Sequence, residues 1–179
     1  MDMAEFDAMD ETVDTKADIF KALSSASGKI LAKVILPAKL ECLSEMIKPI
    51  KKCAQKQGFS PNRINEIELA LEEALVNIIS YAYPDPNAVG NAEIWCWLND
   101  KALFIIEIKD SGIPFDSLQK DNPELIDNIA DRAVGGLGIF LIKQFMDDVK
   151  YRREQNYNIL SFTVVKRDST KPFYGRSEC

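Results

Sequence analysis

Histidine is absent from this 179-residue chain. That single lack removes a Ser-His-Asp triad, a Cys-His dyad, a histidine-ligated metal and any phosphohistidine. Cysteine is sparse: Cys42, Cys53, Cys96 and Cys179 stand 11, 43 and 83 residues apart. No C-x-x-C pair is present to nucleate a zinc site or a redox motif, so the four read as buried or idle thiols. No run of eighteen apolar residues occurs, and the opening MDMAEFDAMDETVD is acidic where a signal or transit peptide would be basic and then apolar. The expectation is a soluble, cytoplasmic protein with no membrane segment.

A basic excess is also missing. Residues 1–18 hold seven acids against Lys16, which accounts for the whole net charge of −6, and the remainder balances at 21 against 21. Duplex-binding domains draw much of their affinity from clustered cations that neutralise phosphates, so direct binding to nucleic acid is not expected.

What is present fits one domain. With 46% hydrophobic residues, a chain of this length buries one core rather than two. Residues 1–27 form an acidic extension, read as a solvated tail or, from the helical spacing of Phe6, Met9, Val13, Ala17, Phe20 and Leu23, an amphipathic helix. Residues 28–167 form the folded domain, and 168–179 a C-terminal tail. Within the domain, 29–37 alternates and breaks at Pro37, as a strand does. The next segment reads as a helix ending at Gly58, with Pro49 a kink or register fault. Ser60-Pro61 starts a helix that runs to about Tyr83, where Pro84 and Pro86 stop it. Strands 91–99 and 102–109 flank a short Asp100-Lys101 connection. A polar segment, 116–134, leads to glycines, a helix and a closing hairpin. This order predicts an α/β two-layer sandwich with a mixed, mostly antiparallel sheet.

Three places carry chemistry. On helix 61–83, at about 100° per residue, Ile64, Ile67, Leu71, Leu75, Ile78 and Ala82 form the core stripe, and Glu66, Ala70, Glu73 and Asn77 form a second line. Glu73 and Asn77, one turn apart, are either a hydrogen-bonded pair on a solvated face or a base beside an oxygen ligand for Mg²⁺. The run from Asp110 to Asp116, past an apolar strand, suits an ordinary turn; it equally offers a lone acceptor, Asp110, for an adenine amino group, with the ring against Gly112. Gly135-Gly136-Leu137-Gly138 is either a flexible lead into a helix or a place where backbone N–H groups and a helix N-terminus receive phosphate. It is neither a Walker loop, since no GK[ST] follows, nor a dinucleotide fingerprint.

In order and spacing these three resemble the N, first-glycine and second-glycine boxes of the GHKL ATPase superfamily. The wording LALEEALVNIISYAY, IKDSGIPFD and GGLGIFLIKQFMDDVKYRRE is most similar to the bacterial anti-sigma factor serine kinases, over about residues 29–166. The resemblance implies a Bergerat-type fold that binds ATP with Mg²⁺ under a mobile lid. It also implies a homodimer that phosphorylates a serine of a small anti-anti-sigma protein and otherwise clasps a sigma factor. By position, Glu73 corresponds to the general base and Asn77 to the Mg²⁺ ligand. Asp110 would hold adenine, Gly112 would make room for it, Gly135, Gly136, Leu137 and Gly138 would surround the phosphates, and Arg132 would sit in the lid. Two residues depart from the pattern: Tyr81 stands where the family often has histidine, and Pro114 where the wider superfamily has a second glycine. Two alternatives stand beside the kinase: an ATP-binding anti-sigma switch that transfers no phosphate, and another GHKL ATPase domain.

Overall fold

A computed structural model describes residues 29–85, 90–114, 116 and 137–166. The acidic extension, Arg132, Gly135, Gly136, nearly all of the 116–134 segment and the C-terminal tail lie outside the described residues.

The first strand, β1 (Ile30–Pro37), is followed by a short 3-10 turn (Leu40–Cys42) and two helices, α1 (Leu43–Lys56) and α2 (Pro61–Tyr81). Then come the hairpin β2 (Asn91–Leu98) and β3 (Phe104–Asp110), helix α3 (Leu137–Phe145), and the hairpin β4 (Asp148–Glu154) and β5 (Tyr157–Val164). The five strands lie in the order β1-β2-β3-β5-β4, every neighbouring pair antiparallel. The mixed sheet expected from sequence is therefore antiparallel throughout, because both hairpins stay together and β1 joins β2 at the edge.

Local chemistry sets the element ends. The Ser60 hydroxyl accepts from the Arg63 N–H at 3.3 Å, and Pro61 occupies the first turn of α2, a cap of the kind whose loss costs about 1 kcal/mol. Gly58 has φ +78°, the left-handed turn that ends α1 without a Cβ penalty. Pro49 does not break α1, which is continuous through it. Proline offers no N–H to the carbonyl four residues back, but that carbonyl belongs to exposed Glu45 and water can satisfy it. Meanwhile Met46, Ile47, Ile50 and Ala54 pin the buried face. In the β2–β3 turn, Asn99 Oδ1 accepts from the N–H groups of Lys101 and Leu103, at 3.0 and 2.9 Å.

The core lies between one sheet face and the helices. Because side chains alternate along a strand, the cross-strand pairs Cys96–Ile106, Ile106–Phe162 and Ile108–Leu160 all fall on the helix side, where they meet Ile67, Leu71 and Leu75 of α2. The predicted stripe on α2 is this core face, with Ile78 only partly buried at its end. Strand parity has one further consequence. Asp110 shares the side of Phe104, Ile106 and Ile108, and is paired across to Asn158. Two polar residues thus enter the helix-facing layer at one end of the sheet.

Among the described residues no helix is long and apolar enough to cross a membrane.

Candidate functional site

The polar end of that layer opens into a cleft. Ala74, Ile78, Ala82, Ile139, Ile142 and Leu160 form its apolar walls, and Asn77, Asp110, Tyr151 and Asn158 its polar groups. Apolar walls with a few convergent polar groups are the ordinary make-up of a small-molecule site.

Helix geometry brings the first pair in. Ala74 and Asn77 share one side of α2, three residues apart, and α3 closes that side with Ile139 and Ile142. Glu73 lies at the α2–α3 seam, half-buried. The space that a Cβ on Gly138 would take is already filled by the Glu73 carboxylate. Glycine at 138 is therefore what lets the base candidate and the start of α3 meet. Leu137 is the first residue of that helix.

Asp110 is 4% exposed. Its Oδ1 accepts from the Gly112 N–H at 2.8 Å and from Asn158 Nδ2 at 2.9 Å. Neither of these bonds uses Oδ2, which remains as an acceptor at the cleft. Burial pushes the carboxyl above the usual range, while the Asn158 and Gly112 donors and the nearby Arg153 charge pull it back only in part. An ionised carboxylate only accepts, so at Oδ2 it pairs with a ligand that donates a hydrogen bond and repels one that presents another acceptor.

Gly112 has a neighbour within the protein that sequence did not suggest. A Cβ there would sit 2.5 Å from both the Cβ and the carbonyl oxygen of Ala82. The missing side chain makes room for the end of α2, and Ile113 N–H donates to that same Ala82 carbonyl at 2.9 Å. Tyr81, which stands where the family often has histidine, is 42% exposed at the end of α2 and is not among the cleft-lining residues. The tyrosine of the cleft is Tyr151.

Sequence reasoning missed Asn158, Tyr151 and Arg153. Asn158 Oδ1 accepts from Tyr151 Oη at 2.8 Å and from Arg153 Nη1 at 2.6 Å, and Nδ2 also donates to the Ile113 carbonyl at 2.9 Å. A signal for Asn158 was available, since a lone asparagine in YNILSFTV stands at the parity of the buried Leu160, Phe162 and Val164. Also missed was Arg63, 2% exposed, which holds the N-terminal turn of α2 to Glu66, Asp147 and the Phe145 carbonyl.

The chain is 27% identical over 142 residues to the serine-protein kinase RsbW of Staphylococcus aureus, covering 76% of this chain and 87% of the relative. Among solved structures, the SiaB–SiaC complex from Pseudomonas aeruginosa matches at TM-score 0.52 and 16% identity, over 84% of this chain and 99% of that one. The RsbU and RsbW domains of Rv1364c from Mycobacterium tuberculosis match at TM-score 0.51 and 10% identity, over 74% of this chain and 32% of that longer one. At these identities the two structures speak for the fold alone. A family model described as "Histidine kinase-like ATPase domain" matches residues 36–164, a span that takes in Glu73, Asn77, Asp110 and Gly138. With that match over most of its length, the chain belongs to the histidine kinase-like ATPase domain family.

Proposed function

We propose that the protein is an ATP-dependent serine kinase and anti-sigma factor, which phosphorylates a small anti-anti-sigma protein and otherwise sequesters a sigma factor, as a cytoplasmic homodimer. Its main support is the meeting of Glu73 with Gly138 beside a cleft that also holds Asn77 and Asp110. The residues fit the group they would bind. Apolar walls suit a purine ring, Asp110 offers an acceptor to an exocyclic amino group, and the Asn77 carboxamide oxygen is a hard ligand of the kind Mg²⁺ prefers. Gly135, Gly136, Leu137 and Gly138 would receive the phosphates at the N-terminus of α3, and Arg132 would add positive charge from the 116–134 segment.

Bound Mg²⁺ would offset the triphosphate charge. The chain's own part is positioning and proton transfer. Glu73 would accept the seryl proton as the seryl oxygen bonds to the γ-phosphorus and the bond to the β-phosphate oxygen breaks, leaving ADP. A base is unnecessary for nucleotide binding alone, and its retention favours the kinase over a non-catalytic switch. The name of the Staphylococcus aureus relative, a serine-protein kinase, supports the same choice.

The deciding assay is transfer of radiolabel from ATP to a purified anti-anti-sigma protein. Absence of transfer to every such partner, with sigma binding intact, would replace the kinase by the non-catalytic switch. Asn77 is tested separately: Asn77→Ala should weaken Mg²⁺-ATP by about tenfold or more while leaving the metal-free affinity nearly unchanged, as measured by calorimetry with and without Mg²⁺. Equal losses in both conditions would remove the metal role.

A further inference from the structure

Asn158 lies 48 residues from Asp110 and has no place among the predicted site residues, yet its carboxamide is more fully engaged than any other in the cleft. Nδ2 donates to Asp110 Oδ1 and to the Ile113 carbonyl, each at 2.9 Å. Oδ1 accepts from Tyr151 Oη at 2.8 Å and from Arg153 Nη1 at 2.6 Å. A carboxamide has two donors and two lone pairs, so all four are used.

The direction of that amide is not arbitrary. Arg153 can only donate, which requires the carboxamide oxygen to face it and the NH₂ to face Asp110. Turned the other way, Oδ1 would meet a carboxylate and a carbonyl, and Nδ2 would meet a guanidinium. Arg153 further donates to the Gly112 carbonyl at 3.2 Å, so the hairpin β4–β5 holds the turn as well as the amide. The Gly112 N–H and Asn158 together occupy Asp110 Oδ1 and leave Oδ2 to the cleft.

We infer that Asn158 is the positioning residue that sets the purine preference of this cleft: relaying the fixed polarity of Arg153, it keeps Asp110 a pure acceptor, which welcomes the 6-amino group of adenine and repels the 6-keto oxygen of guanine. This rests on the nucleotide reading above and adds to it a residue and a discrimination. A merely structural asparagine would lower the affinity for both bases alike. A positioning asparagine changes their ratio.

Asn158→Asp keeps the shape and the contacts to Tyr151 and Arg153. It replaces both donors by acceptors and sets a second carboxylate against Asp110, so that the pair binds a shared proton and Asp110 ceases to be a plain acceptor. Calorimetry with Mg²⁺-ADP and Mg²⁺-GDP should show wild type preferring ADP, and the Asn158→Asp preference reduced by at least about tenfold. Should that variant fail to fold, as judged by circular dichroism, Arg153→Leu carries the test: it removes the donor that fixes the direction of the amide, since the Tyr151 hydroxyl can bond to either end, and should reduce the preference several-fold. An unchanged ADP:GDP ratio in the folded variant overturns the inference. Wild type that binds both equally also overturns it, while the nucleotide reading stands. Wild type that binds neither overturns both.

Discussion

Glu73→Gln should lower phosphotransfer to the anti-anti-sigma substrate by at least about a hundredfold, with Mg²⁺-ATP and sigma binding retained. A seryl hydroxyl attacks phosphorus far better when its proton is accepted as the bond forms, and such assistance is typically worth roughly 10²–10⁴ in rate, about 3–5 kcal/mol of barrier. Glutamine preserves size and hydrogen bonding but has no basic oxygen. The seam in which Glu73 sits makes this substitution cleaner than alanine, because Gly138 packs where the carboxylate stands and an alanine would leave a gap there. A single-turnover assay with labelled ATP, run beside a nucleotide-binding control, separates lost chemistry from lost binding. Full activity in Glu73→Gln would remove the base assignment and leave the kinase reading to be decided by wild type. Gly138→Ala bears on the same contact from the other side: its added methyl overlaps Glu73 Oε2 and must displace it. It should therefore also slow transfer, by about tenfold on the same scale.

Why some of this was legible in sequence and some was not follows from the range of each interaction. The stripe Ile64, Ile67, Leu71, Leu75 is a local regularity, and the core uses it. Asp110 could be placed at the end of a buried strand because FIIEIKD alternates, and parity alone sets it on the helix side. Ser60 and Gly58 announce the boundaries of α2 and α1 through chemistry within four residues. Asn158 acts only through the β3–β5 register, which no local pattern specifies. The contact of Gly112 with Ala82 depends on where α2 stops, 30 positions earlier, and no pattern local to Gly112 specifies it. Pro49 reads as a kink or register fault from its local cost. The buried side of α1 outweighs that cost, an instance of tertiary packing overriding propensity.

Arg63→Met should destabilise the folded domain by about 3–5 kcal/mol, the usual consequence of removing one partner from a buried charged network. Arg63 is 2% exposed and stands in the first turn of α2, where position alone would suggest a solvated cation. Its guanidinium instead reaches Glu66 in its own helix, Asp147 beyond α3, the Phe145 carbonyl at the end of α3, and the Val165 carbonyl past β5 at 3.3 Å. The planar fork can serve these partners together, which a lysine ammonium on its flexible stem cannot. Methionine retains most of the apolar stem but leaves the Phe145 and Val165 carbonyls without this donor and the two carboxylates without their shared cation. Asp147 also accepts from the Val165 N–H at 2.8 Å, so part of the corner survives and the loss stays within the range for one buried partner. Urea denaturation should show the midpoint lowered with an unchanged slope, and Arg63→Lys should fall between Arg63→Met and wild type. The effect reaches the site through α2 and α3, since the helix pair tied at one end by Arg63 brings Glu73 to Gly138 at the other. Below its melting temperature Arg63→Met should therefore lose phosphotransfer before it loses secondary structure. A midpoint equal to wild type would show that the buried cation contributes nothing net, its pairing merely offsetting its desolvation.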